Sequence, residues 1–186
     1  MEAIRKIEIN KTAKIILIAI LGSLLLTISA KIKIPFYPVP MTMQTFVVLF
    51  IGITLGAKIG MLSVSIYLLE GIFGLPVFAG TPEKGIGLIY FTGPTMGYLI
   101  GFILAIYVSG FFKYDKRVLI NFLKLVFSVS FIYILGLLWL GNLIGWEKPI
   151  FILGAQPFLL AEIFKMLLLS FLIPNLLKIK KSIKIT

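Results

Sequence analysis

The chain has 186 residues, 60% of them hydrophobic and only 13% charged, with a formal net charge of +11. A soluble domain cannot hide that much apolar surface, so the composition points to an all-α polytopic membrane protein in one compact bundle. With neither Cys nor His it cannot build a disulfide, a Cys- or His-ligated zinc site, a Ser–His–Asp or Cys–His nucleophile or a His-ligated haem.

No glycine-rich phosphate loop of the G-x-x-x-x-G-K-[ST] type occurs. Energy for any uphill work must therefore come from an ion gradient or from a partner. The basic residues sit at chain ends and short turns without interleaved aromatics, which speaks for membrane topology and against nucleic acid.

In chain order, the polar, basic "MEAIRKIEINKTAK" precedes an apolar run from Ile15 to Ala30. The run is long for a signal peptide and ends without an A-x-A site, so the first helix is expected over 13–30. Pro35, Pro38 and Pro40 in "KIKIPFYPVP" prevent a regular helix and favour extended backbone. Residues 41–73 are apolar except at "GAKIG", 56–60. A single helix there would bury Lys58 at the membrane centre, so two helices are expected, 41–57 and 58–73, each short for a full span.

"GLPVFAGTPEKGIGLIYF", 74–91, is too broken for a helix and too apolar for an ordinary surface loop. Such backbone is tolerated at membrane depth only where it lines a cavity or packs on protein, which suggests a lid. Three further helices are expected over 92–112, 118–141 and 157–177. "KYDKR" turns the chain at 113–117, and a loop with Trp146, Glu147, Lys148 and Pro149 occupies 142–156.

Six spans put both termini on one side. Arg5, Lys6, Lys11, Lys14, Lys58, Lys113, Lys116, Arg117, Lys178, Lys180, Lys181 and Lys184 then share a face, against Lys31, Lys33, Lys84 and Lys148 on the other. The positive-inside rule assigns the richer face, with both termini, to the cytoplasm, making the chain a multi-pass protein of the cytoplasmic membrane. Small residues recur at four-residue spacing, as in Gly52-Gly56-Gly60 and Gly93-Gly97-Gly101, where helices can approach closely.

Glu162 and Lys165 interrupt the last apolar span at i, i+3 and so share one helix face. A charged pair facing acyl chains is costly, so that face is expected to point into the bundle and to recognise something polar there. The competing reading is a pair that merely neutralises itself. Thr42, Gln44 and Tyr98 are expected near the same end, with Thr92, Thr95, Glu70 and Gln156 as lesser candidates. Phe78 is the aromatic of the broken loop assigned to the pocket. An apolar cavity with one acid, one base and an amide suits a small amphipathic ligand.

"PVPMTMQTF" (38–46), "GIFGLPVFAG" (71–80), "GPTMGYLIGF" (93–102) and "PFLLAEIFK" (157–165) together resemble, in order and spacing, the motifs of the BioY family. These are the biotin-binding S-components of energy-coupling-factor (ECF) transporters. Met96 stands where the family usually has Gly, and Leu160-Ala161-Glu162 where it usually has Pro-Gly-Asp.

The resemblance implies a non-enzymatic, six-helix protein that binds biotin from outside. It implies association with a transmembrane coupling protein and two cytoplasmic ATPases, to which ATP hydrolysis is delegated. Glu162 would accept ureido N–H bonds, Lys165 would donate to the ureido oxygen or to the valerate, and Gln44 can do either. Phe78 would cover the thiophane ring. Ala19 and Ser23 match the small-residue row that meets the coupling protein. The rival readings are an S-component for another small vitamin and a membrane subunit without a specific ligand.

Overall fold

A computed structural model describes residues 11–80 and 85–183. Arg5, Lys6, Lys84 and Lys184 of the charge reading lie outside these residues, as do 81–84 of the expected lid. The described chain is helical: α1 (Lys11–Lys31), α2 (Gln44–Ile72), α3 (Met96–Phe111), α4 (Val118–Ile144), the short α5 (Ile150–Gly154) and α6 (Leu159–Ile183). Lys11–Lys31, Gln44–Ile72, Val118–Ile144 and Ile150–Lys178 are long and apolar enough to cross a membrane, and α3 is a shorter apolar helix. Their uncovered faces are aliphatic and aromatic, including Leu17, Leu24, Leu123, Phe127, Phe164 and Phe171, as lipid contact requires.

The proline segment after α1 is bridged by two short antiparallel strands, β1 (Lys33–Ile34) and β2 (Met41–Thr42), with Lys33 opposite Thr42 and Ile34 opposite Met41. This clasp delivers Thr42 and Gln44 to the start of α2. Two residues in β2 and the prolines between the strands leave no room for a longer ladder.

Inside α2 the helix breaks at Gly56, with φ 77° and ψ 174°, a backbone region that glycine alone enters freely. The break separates arms 44–55 and 57–72. Each is shorter than the ~20 residues of a full span. Lys58, expected to mark the break, follows it by two residues and is exposed. The interruption frees the carbonyl of Ile53, and Lys180 Nζ donates to it at 3.0 Å from the end of α6.

The helix expected from residue 92 begins later. Gly87–Thr92 forms a 3-10 turn, Gly93 is extended (ψ 174°), and α3 starts at Met96. Pro94 therefore precedes the helix instead of sitting in its first turn. Part of the expected loop 142–156 is helical as α5, and a 3-10 turn at Gln156–Phe158 leads into α6.

Close approach replaces side-chain bulk between the central helices. A Cβ on Gly97 would strike Leu135 O on α4, and one on Gly101 would lie 2.5 Å from Ile132 Cα. That glycine row packs within the bundle.

Ala19 and Ser23 require a correction. The resemblance implied that they face a partner, but both are fully buried inside this chain. Ser23 Oγ donates to Glu70 Oε2 on α2, and neighbouring Gly22 lies against Ser63. The small side chains let α1 close on the second arm of α2, so they have no surface left to offer. The free face of α1 carries Ile16, Leu17, Ile20, Leu21, Leu24, Leu25 and Ile28 instead.

Two packed clusters divide the interior. One, with Tyr67, Phe78, Tyr90, Tyr98, Phe102 and Phe158, is rich in aromatics. The other is almost wholly aliphatic, joining Leu49 and Ile53 of α2, Leu125 and Val129 of α4, and Leu169, Ile173 and Leu176 of α6.

Candidate functional site

A chamber opens within the aromatic cluster. The clasp and the first turn of α2 supply Thr42, Gln44 and Thr45, the second arm of α2 supplies Tyr67, and the lid supplies Phe78. Tyr90 comes from the 3-10 turn, Tyr98 and Phe102 from α3, Tyr133 from α4, Phe158 from the turn before α6 and Glu162 from α6 itself. About 560 Å³ of space lies between these atoms, mouth included.

The charged pair turns inward. Glu162 is 3% and Lys165 9% exposed. Lys165 Nζ donates to Glu162 Oε1 at 2.8 Å, to the Thr42 carbonyl at 2.6 Å and to Thr45 Oγ1 at 3.1 Å. An ammonium has three protons, and all three are engaged. Thr45 Oγ1 donates in turn to Glu162 Oε1 at 2.8 Å. Glu162 Oε2 is different. Among the described residues it is the one buried side-chain polar atom without a hydrogen-bond partner. Glu162 lines the chamber and Lys165 does not. A buried carboxylate oxygen left without a donor costs of the order of 1–3 kcal/mol or more, and the Tyr133 hydroxyl is a polar group placed beside this carboxylate.

The polar groups of Gln44, Thr42 and Tyr98 already have partners. Gln44 Nε2 donates to Tyr67 Oη at 2.7 Å, and Thr42 Oγ1 donates to Gln44 Oε1 at 3.2 Å. Tyr98 lends the chamber its ring. Its hydroxyl donates outward to the Gly154 carbonyl at 2.8 Å, tying α3 to α5.

The lid is pinned from the clasp side. Lys31 Nζ donates to the Pro76 and Phe78 carbonyls and Lys33 Nζ to the Ala79 carbonyl. Phe78 stacks on Tyr90 with centroids 4.5 Å apart and meets Tyr67 edge-on at 5.2 Å. Burial raises the pKa of the Tyr90 hydroxyl, which stays neutral.

The model of the BioY family matches residues 3–182. The chain belongs to that family. A probable biotin transporter BioY of Pyrococcus horikoshii is 37% identical over 155 residues, 83% of this chain and 90% of that protein. The biotin transporter BioY of Thermotoga maritima is 36% identical over 157 residues, 84% of this chain and 91% of that protein. A 2.1 Å crystal structure of the S-component for biotin from an ECF-type ABC transporter superposes with a TM-score of 0.71 at 26% identity. The match covers 91% of this chain and 93% of that one.

The structure thus gathers Glu162, Gln44, Thr42, Phe78 and Tyr98 around one chamber, with Lys165 directly behind its wall. Thr95 also lines it. Gln156 is exposed, and Glu70 is engaged with Ser23 elsewhere. Sequence reasoning missed Thr45, Tyr67 and Tyr133. A signal existed for each. Thr45 stands three residues after Thr42 within "PVPMTMQTF", and each tyrosine is the single tyrosine of its apolar helix.

Proposed function

We propose that this chain captures biotin as the substrate-binding component of an ECF-type importer and is not itself an enzyme. The observation that carries the reading is Glu162 Oε2, a buried carboxylate oxygen that lacks a donor and borders a chamber walled by aromatics. A ureido ring offers N–H donors, and a bond from N–H to a carboxylate is strengthened where water is excluded. Lys165 and Thr45 hold the other oxygen, so the carboxylate is oriented before the ligand arrives. Gln44 and Thr42 provide a further polar edge. Phe78 and Tyr98 present rings to the thioether end.

The same reading takes the bundle as a single domain of six spans, counting the two arms of α2 separately, with both termini cytoplasmic. The ties between Lys180 and Ile53 and between Gly110 and Ala57 support it. They gather the Gly56 break, the basic 113–117 turn and the end of α6 at the face away from the chamber. The membrane is then the cytoplasmic membrane, with the chamber facing out. A transmembrane coupling protein and two cytoplasmic ATPases complete the importer, since the chain carries no phosphate loop of its own.

Thermal unfolding of the purified protein with vitamins tests this. Biotin at about one hundred times Kd should stabilise by about 2.7 kcal/mol and raise Tm by several degrees. A rise with thiamine and none with biotin would transfer the reading to another vitamin. Silence with every vitamin would leave a membrane subunit without a ligand.

A further inference from the structure

A second cavity adjoins the chamber. It holds about 590 Å³, mouth included, and is lined by Lys33 and the proline segment on one side and by Ala79, Gly80, Tyr90 and Thr95 on the other. Pro40, Ala79, Tyr90 and Thr95 are walls of both spaces. The shared walls set the two spaces side by side as an inner and an outer room, with the lid and clasp framing the outer one.

The charges of the two rooms are opposite. Among the described residues, the inner room is lined by one charged side chain, Glu162, and the outer by one, Lys33. Lys165 cannot serve a second anion as it stands, because its three protons are spent on Thr42, Thr45 and Glu162. An anionic ligand group placed deep would also face the unpartnered Glu162 oxygen, a like charge. Lys33 is exposed, and the one bond found for its ammonium, to the Ala79 carbonyl, leaves two protons for an acceptor without releasing the lid.

Resting on the biotin reading above, we infer that the ligand binds with its N–H-bearing ring against Glu162 and its carboxylate in the outer room against Lys33. Lys33 is then a specificity-determining residue. It favours acids over their neutral amides, and it couples the charged end of the ligand to the lid it already holds.

The test compares biotin with biotinamide on the full chain in lipid nanodiscs, for wild type, Lys33→Ala and Lys33→Arg. Wild type should prefer the acid about three- to fivefold at low salt, the scale of an exposed ion pair. The preference should vanish in Lys33→Ala, persist in Lys33→Arg, and collapse for wild type in about 1 M salt, where screening acts within ~3 Å. Loosening of the lid alone would weaken both ligands equally and leave the preference intact. A preference that survives Lys33→Ala, or is absent from wild type, overturns the inference while biotin capture stands. Wild type that binds neither compound overturns the capture reading and this one with it.

Discussion

The two ends of the bundle solve the problem of polar groups in oil differently. At the end away from the chamber, among the described residues, each buried side-chain polar group has a partner. Lys180 takes the carbonyl freed at Gly56, Tyr114 Oη donates to the Ser109 carbonyl at 2.8 Å, and Asn121 Nδ2 donates to the Asp115 carbonyl at 2.8 Å. Beside them lies the aliphatic cluster of α2, α4 and α6, which forms a packed floor. At the chamber end the same three helices carry Thr45, Tyr133 and the Glu162–Lys165 pair, and one carboxylate oxygen is left without a donor. The difference teaches where the fold keeps its stability and where it keeps something in reserve. A finished polar network rigidifies, whereas an unfinished one in a walled cavity waits for a ligand.

The strongest way to break this contrast is to remove one charge from the chamber wall. Lys165→Met leaves Glu162 buried without its cation and should cost about 3–5 kcal/mol of stability, together with biotin binding. Adding Glu162→Gln removes the orphaned charge, so the double variant should regain most of that stability. Its biotin affinity should stay lost, because the strong acceptor is gone. Thermal unfolding and ligand binding on the two variants separate the outcomes. A double variant that still binds biotin tightly would mean the pair is only structural.

That pair was legible in the sequence because two charges in an apolar span have few places to go. The lid was legible for a related reason. Prolines and glycines among large apolar residues suit neither a span nor a solvated loop, and Phe78 of that segment lines the chamber. Other features were not legible. Thr45 meets Glu162 across 117 residues of chain, a contact set by how α2 and α6 cross and not by local pattern. Tyr98 does line the chamber, yet its hydroxyl serves Gly154, which spacing cannot reveal. Ala19 and Ser23 show the limit of small-residue rows. Such a row says that something packs closely, and here the neighbour is α2 of the same chain. The break in α2 was expected near Lys58 from the cost of burying its charge, while the backbone chose Gly56, where φ can turn positive.

A change at the closed end sharpens the comparison from the other side. Gly110 packs against the α2 backbone, where an added Cβ would lie 2.7 Å from Ala57 Cα. Backbone cannot yield as a flexible side chain does, so Gly110→Ala should destabilise by about 1–3 kcal/mol. Gly110 stands eight residues along α3 from Phe102, the nearest α3 residue lining the chamber, about 12 Å of helix, so biotin Kd for the folded fraction should match wild type. Denaturation and titration on the same preparation check both halves. A Kd that shifts along with stability would mean that packing along α3 couples the two ends of the bundle.

The smallest effect is expected at the exposed turn beneath that floor. Asp115 Oδ1 accepts from the Arg117 amide and Oδ2 from Arg117 Nε, each at 2.8 Å, where α4 begins. The Arg117 side chain, by its hydrogen bond, holds the Asp115 carboxyl below its ordinary pKa. A carboxyl with a lowered folded pKa binds fewer protons when folded. Its stabilising contribution is therefore present at neutral pH and is lost as pH falls through the lowered value. The group is solvent-exposed, so Asp115→Asn should move Tm by little more than the detection limit at pH 7. The difference from wild type should disappear in acid and shrink with added salt. Biotin affinity should not change, because no charge of this turn reaches the chamber through the aliphatic floor. Tm measured across pH for both proteins, with one binding titration each, decides it. A gap between the two proteins that grows on acidification would reverse the sign of the argument.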